Sequence, residues 1–95
     1  MADRKMLIVY CYDISSPRAR ARAASVLEAS AVRVQESVFE ARMSKREADQ
    51  LFQAALQALD PGDNLRMYAV SAVGRARSRA EGGAPIGEDG DFWLI

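Results

Sequence analysis

The sequence predicts an α+β fold: a ferredoxin-like β-α-β-β-α-β sandwich with an extra C-terminal strand, assembled as a homodimer. Three observations predict it. An apolar run precedes a capped helix, two short valine-marked segments precede an amphipathic helix, and a further apolar run follows. This order is typical of an antiparallel sheet with two helices on one face. The 95 residues allow one domain. We expect residues 1–73 to form its core, and residues 74–95 to form an irregular segment and the C-terminal strand.

The first strand and helix follow directly from residue order. The run 5–12 reads KMLIVYCY and is typical of a central, buried strand. Ser16 is a hydroxyl cap and Pro17 has a preset φ, so a helix is predicted from Pro17 to about Ala29. Its buried face is predicted from residues that recur at helical spacing, namely Ala19, Ala23, Val26, Leu27 and Ser30.

The second half of the pattern begins with two short strands. The valines of AVRVQESV mark them, with a tight turn or bulge near residues 35–37. Ser44 and Glu47 form a capping box, which predicts the start of a second helix. The apolar positions of that helix are Ala48, Leu51, Phe52, Ala55, Leu56 and Leu59.

The stop signal at residues 60–63 ends this helix, and Leu65–Val73 is predicted to be a strand. Met67, Ala69 and Val73 would lie on one side of it, and Tyr68, Val70 and Ala72 on the other. The sheet face away from the helices would be uncovered. We therefore expect two sheets to meet face to face in a dimer. A strand formed by Phe92, Trp93, Leu94 and Ile95 would contribute to the dimer interface by adding to a sheet edge, the partner's or its own.

Composition excludes several classes of site. There is no histidine, and the single Cys11 excludes a disulfide framework and a multi-cysteine zinc site. No apolar run is long enough to span a membrane, and the N-terminus does not resemble a signal peptide, so a cytoplasmic protein is expected. The net charge is zero, but 11 of the 13 basic residues are arginine, the side chain suited to phosphate.

Asp13 is the candidate catalytic and metal-binding residue. It stands where the first strand meets a helix start, and a helix cap or Asx-turn would also explain it. One carboxylate is a weak metal site. Two copies of Asp13 across a dimer axis could hold one Mg²⁺ and orient water against a phosphodiester.

Two arginine groups are the candidate nucleic-acid-binding residues. Arg18, Arg20 and Arg22 lie on the first helix, and Arg75, Arg77 and Arg79 would point one way if their segment were extended. The alternatives are a solvated helix face and a soluble loop. Arg33 and Arg66 fall on predicted strands, where pairing with Glu36, Glu40 or Asp63 is expected.

The chain resembles the CRISPR-associated endoribonuclease (Cas-two) family. The strand ending YDIS, the arginine-rich helix, the stretch RVQESVFE and the later RMY carry the resemblance, over residues 6 to about 73. It implies a ferredoxin-like homodimer that bridges two dimers of the CRISPR integrase subunit and holds duplex DNA. It also implies, for some members, Mg²⁺-dependent nuclease activity, and assigns the metal-ligand role to Asp13. Family members often have glycine where Ala41 stands.

Three functions follow from these features. The first is a duplex-DNA-binding scaffold in spacer acquisition, a part of antiviral defence. The second is a metal-dependent phosphodiesterase acting on RNA, single-stranded RNA included, or on DNA through paired Asp13. The third is a ferredoxin-like regulatory dimer that binds a small ligand. The arginine bias and the lack of a glycine-rich phosphate loop disfavour the third.

Overall fold

A computed structural model describes residues 4–86. Seven elements follow in chain order, namely β1 (Lys5–Asp13), α1 (Pro17–Glu28), β2 (Val32–Gln35), β3 (Val38–Ser44), α2 (Lys45–Leu56), β4 (Asn64–Val70) and α3 (Ala72–Ala76). The strands form one sheet in the order β2-β3-β1-β4, and each neighbouring pair is antiparallel. The predicted β-α-β-β-α-β order is confirmed.

The core lies between one face of this sheet and helices α1 and α2. Ile8, Tyr10 and Tyr12 alternate along β1 and are all buried on this face. From the helices, the buried members of the same core cluster are Ala19, Ala23, Ala24, Leu27, Ala48, Leu51 and Ala55. The predicted helix faces are therefore confirmed, except that Ser30 and Leu56 are exposed. No helix within residues 4–86 is long and apolar enough to cross a membrane.

Local signals in the sequence set the element boundaries. Ser16 caps α1 by accepting from the Ala19 N–H at 3.3 Å, and Pro17 is its first residue. The Ser44–Glu47 capping box opens α2, with both of its hydrogen bonds present. The register shift between β2 and β3 is the predicted bulge.

Two expectations about the last strand and the open sheet face are wrong. β4 ends at Val70, and Ser71 then caps the short helix α3, so Val73 is helical and exposed. The sheet face away from α1 and α2 is partly covered, because residues 78–86 cross it and line a groove with Leu7, Val9 and Glu40. The predicted strand Phe92–Ile95 lies outside the described residues.

Candidate nucleic-acid interface and metal site

Asp13 is the last residue of β1 and is exposed. It follows the buried Tyr12, so alternation along the strand places it on the sheet face away from the helices. Ser16 is the helix cap, and the Asp13 side chain makes no hydrogen bond or ion pair within residues 4–86. The helix-cap and Asx-turn interpretations are therefore excluded. The structure leaves this carboxylate available to a ligand.

The neighbouring loops are held without using Asp13. The Tyr12 N–H donates to the Ser37 carbonyl at 3.1 Å, which fixes the end of β1 to the β2–β3 turn. Asp63 accepts from the Ser15 N–H at 3.3 Å and from the Asp60 N–H at 2.9 Å. Since both carboxylate oxygens of Asp63 accept backbone hydrogen bonds, this residue stabilises the loops before α1 and after α2.

One protomer does not contain a complete metal site in its described part. No group of three or more histidine, cysteine or acidic residues within residues 4–86 could hold a metal ion. Mg²⁺ is usually bound by one or two carboxylates together with substrate phosphates and water. The single free carboxylate of Asp13 fits that mode only with a second copy or with bound phosphate.

The three arginines of α1 differ in what they contact. Arg20 donates from Nη1 to the carbonyls of Ile14 at 3.1 Å and Ser15 at 2.9 Å, which closes the loop between β1 and α1. Arg22 donates from Nη2 to the Ala58 carbonyl at 3.2 Å. Both side chains therefore stabilise the fold.

Arg22 also lies 3.8 Å from an Asp60 carboxylate oxygen, so it connects α1 to the segment after α2. Arg18 is exposed in the first turn of α1 and makes no hydrogen bond or ion pair with any residue of 4–86. Its whole guanidinium is available. Of the three, Arg18 is the one best suited to a phosphate.

The second arginine group is not extended as expected. Arg75 lies in α3, and Arg77 is the C-cap of that helix. Arg79 is exposed and lines the groove that contains Glu40. Since α3 follows β4, whose Val70 pairs with Leu7 near the start of β1, Arg75 lies at the end of the sheet opposite Asp13. The structure thus separates this group from the α1 arginines.

The expected pairing of strand arginines with acids is wrong. Arg33 lies over the ring of the buried Phe39, 5.1 Å from its centroid. Arg66 donates to the Tyr68 hydroxyl at 3.0 Å, and this bond raises the Arg66 pKa. The i, i+2 spacing of Arg66 and Tyr68 on one strand face was the signal for this contact.

Glu40 was not predicted as a site residue, yet its environment is unusual. Its Oε1 atom is buried and has no hydrogen-bond partner in the region 4–86. Burial raises the pKa of this carboxyl. Glu40 lies two residues after Val38, on the same sheet face away from the helices. A charged residue at an otherwise apolar position of this strand was the signal that could have identified it.

Comparison with known proteins places these features in a family. The model of the family described as CRISPR associated protein Cas2 matches residues 6–77. A CRISPR-associated endoribonuclease Cas2 3 of Chloroflexus aurantiacus is 39% identical over 75 residues, covering 78% of this chain and 81% of that protein. A CRISPR-associated endoribonuclease Cas2 of Mycobacterium tuberculosis is 38% identical over 69 residues, 73% of this chain and 61% of that protein.

Solved structures share the fold. A hypothetical protein, TT1823, from Thermus thermophilus has a TM-score of 0.72 and 35% identity, covering 85% of this chain and 98% of that one. A chain of a partial Cas6-RT-Cas1–Cas2 complex has a TM-score of 0.65 and 27% identity, covering 87% of this chain and 92% of that one. Each likeness covers more than four fifths of this chain.

Proposed function

This chain belongs to the CRISPR associated protein Cas2 family, and from that premise we propose that it acts in CRISPR spacer acquisition as a dimeric scaffold that binds duplex DNA. The observation that carries the DNA-binding role is Arg18, whose exposed guanidinium has no partner within the described chain. Arginine binds phosphate in a planar, bidentate geometry. Contacts of this kind position a duplex without reading its sequence.

The proposed partner is the integrase subunit, with one dimer of this chain bridging two integrase dimers. The similarity to the chain in the complex that contains Cas1 supports this assignment. Residues 78–86 cover only part of the sheet face away from the helices, and the half-buried Cys11 does not line their groove. The remaining part of this face supports face-to-face dimerisation. Within residues 4–86 nothing pairs with the outer edge of β4, so that edge can accept the proposed strand Phe92–Ile95.

Dimerisation can be tested by deleting Phe92–Ile95 and measuring sedimentation. We expect the dimer to weaken, because the terminal strand would add main-chain hydrogen bonds at a sheet edge. The control is Arg18→Lys, which alters an exposed side chain of α1, on the side of the sheet away from the proposed interface, and should leave the dimer intact. An unchanged dimer after the deletion would exclude strand docking.

A nuclease function is proposed in addition, through Asp13 and its copy in the partner protomer. Bound Mg²⁺ would supply Lewis-acid activation of a phosphodiester and of water. Asp13 would hold the ion, and its exposed position at the strand end leaves room for the substrate. The names of the relatives, CRISPR-associated endoribonucleases, support this role.

The two roles are separated by two variants. Asp13→Asn should abolish Mg²⁺-dependent cleavage of RNA or DNA while leaving duplex affinity unchanged. Arg18→Ala should weaken duplex binding equally across sequences and reduce the salt slope of log K by about 1. Arg18→Lys keeps the charge and is the matched control. Unchanged affinity and slope in Arg18→Ala would reject Arg18 as a phosphate contact, and unchanged cleavage in Asp13→Asn would reject the metal role.

A further inference from the structure

The end of the sheet where β1 begins carries a concentration of positive charge, called here the basic end. Its members line three adjoining grooves and are Arg4, Lys5, Arg42, Lys45, Arg46 and Arg75. Only Arg75 of these is among the predicted nucleic-acid-binding residues. The basic end lies away from Asp13, which ends the same strand eight residues after Lys5.

Strand register explains why these residues meet. Lys5 pairs with Ser44, so Lys45 and Arg46, which follow Ser44, begin α2 beside the start of β1. Leu7 pairs with Arg42 on one side and with Val70 on the other. Because α3 begins just after Val70, it brings Arg75 to the same end.

Within residues 4–86, the charge of the basic end is only partly compensated. Two carboxylates line the same grooves, and the exposed side chains of Arg4, Lys5 and Arg46 make no hydrogen bond or ion pair in this part of the chain. Asp49 pairs with Lys45 at 2.7 Å, and Glu47 is held in the capping box of α2. Among the described residues, none that lines the groove between α3 and the start of β1 is acidic, and this groove has a volume of about 560 Å³.

The composition of the basic end favours nucleic acid over protein. Protein interfaces have cores depleted in charge and enriched in aromatic residues. In the described chain, the exposed large apolar side chains are Leu56, Tyr68 and Val73, and none of them lines these grooves. Four of the six cations are arginine, which suits repeated phosphate groups.

We propose that the basic end is a second phosphate-backbone surface, which holds duplex nucleic acid independently of Arg18. This inference rests on the proposed duplex-binding function and extends it. Neighbouring strands lie about 4.8 Å apart, so the ends of β3, β1 and β4 span about 10 Å. That width faces about three phosphates of a strand that carries one charge per ~3.4 Å.

The test neutralises three exposed cations, Arg4→Gln, Lys5→Gln and Arg46→Gln, in the full chain. Duplex binding is measured by fluorescence anisotropy over a range of salt. We expect the slope of log K against log[salt] to fall by about 2 to 3, and Kd at low salt to rise at least about tenfold. The charge-retaining control, Arg4→Lys, Lys5→Arg and Arg46→Lys, should remain within about twofold of the parent.

The outcomes distinguish this inference from the function on which it rests. If the parent binds duplex, Arg18→Ala weakens it and the triple variant does not, the basic end is rejected and the scaffold role stands. If the parent shows no salt-dependent duplex binding, both fail. If the triple variant loses binding to the integrase subunit but still binds duplex as the parent does, the basic end is a protein-docking surface and the inference is wrong. Should the triple variant misfold, Arg46→Gln alone should still reduce the slope by about 1.

Discussion

Replacing Arg20 with alanine should destabilise the protein, whereas replacing Arg18 should not. The two residues lie two positions apart on α1 and are both exposed. Arg20 donates to two carbonyls of the loop that connects β1 to α1, whereas the side chain of Arg18 makes no hydrogen bond or ion pair in residues 4–86. The comparison therefore separates an arginine that stabilises the fold from one that is proposed to bind phosphate, within a single helix.

The magnitude follows from these contacts. A typical hydrogen bond contributes about 0.5–1.5 kcal/mol net, and exposure of the side chain keeps each Arg20 bond near the lower end. Losing both should lower the free energy of unfolding by about 1–2 kcal/mol. Arg18 lies in the first turn, where a cation opposes the helix dipole, so its removal should change stability by about +0.3 kcal/mol or less.

The assay is thermal unfolding of Arg20→Ala and Arg18→Ala at one fixed protein concentration, because the proposed dimerisation would make Tm concentration-dependent. For a domain of this size, 1 kcal/mol corresponds to about 4–8 °C, so Arg20→Ala should unfold roughly 4–16 °C below the parent. Equal Tm values for the two variants would refute the structural role of Arg20. A large loss in Arg18→Ala would refute the claim that its guanidinium is free.

Three further predictions concern the core, a helix start and the sheet face. Tyr10→Phe should cost about 1 kcal/mol in urea unfolding, because the buried hydroxyl donates to the Ala48 carbonyl at 2.7 Å; an unchanged midpoint would contradict this. Ser44→Ala should cost a similar amount and let the lowered pKa of Glu47 rise toward its ordinary value, as measured by NMR titration. Glu40→Gln should stabilise the protein at pH 7. The folded-state pKa of Glu40 is raised, so the parent loses stability as pH rises from the unfolded pKa through the folded pKa. The two proteins should converge in stability below about pH 4, and a less stable variant at pH 7 would show that the assembled protein satisfies this carboxylate.

The fold could be predicted because its signals are local. Ser16 with Pro17 and Ser44 with Glu47 fix two helix starts through hydrogen bonds within one turn, and the structure contains both. The end of β4 could not be predicted in this way. Residues 65–73 are apolar enough for one strand, but Ser71 accepts from the Gly74 N–H at 3.1 Å and begins α3 instead. The N-cap hydrogen bond between Ser71 and Gly74, three residues apart, stabilises a helix start where the apolar pattern had predicted a continued strand.

The roles of the site residues depend on contacts that no local pattern encodes. Arg22, for example, is held by the Ala58 carbonyl, 36 residues away. The same residue type therefore stabilises loops at one position and is left free for phosphate at another. Asp13 shows the converse. Its position before a helix suggested that it caps the helix, but Ser16 makes the cap, and the Asp13 carboxylate forms no hydrogen bond or ion pair within residues 4–86. A group that the fold does not use, exposed at the end of a buried strand, is where a function should be sought.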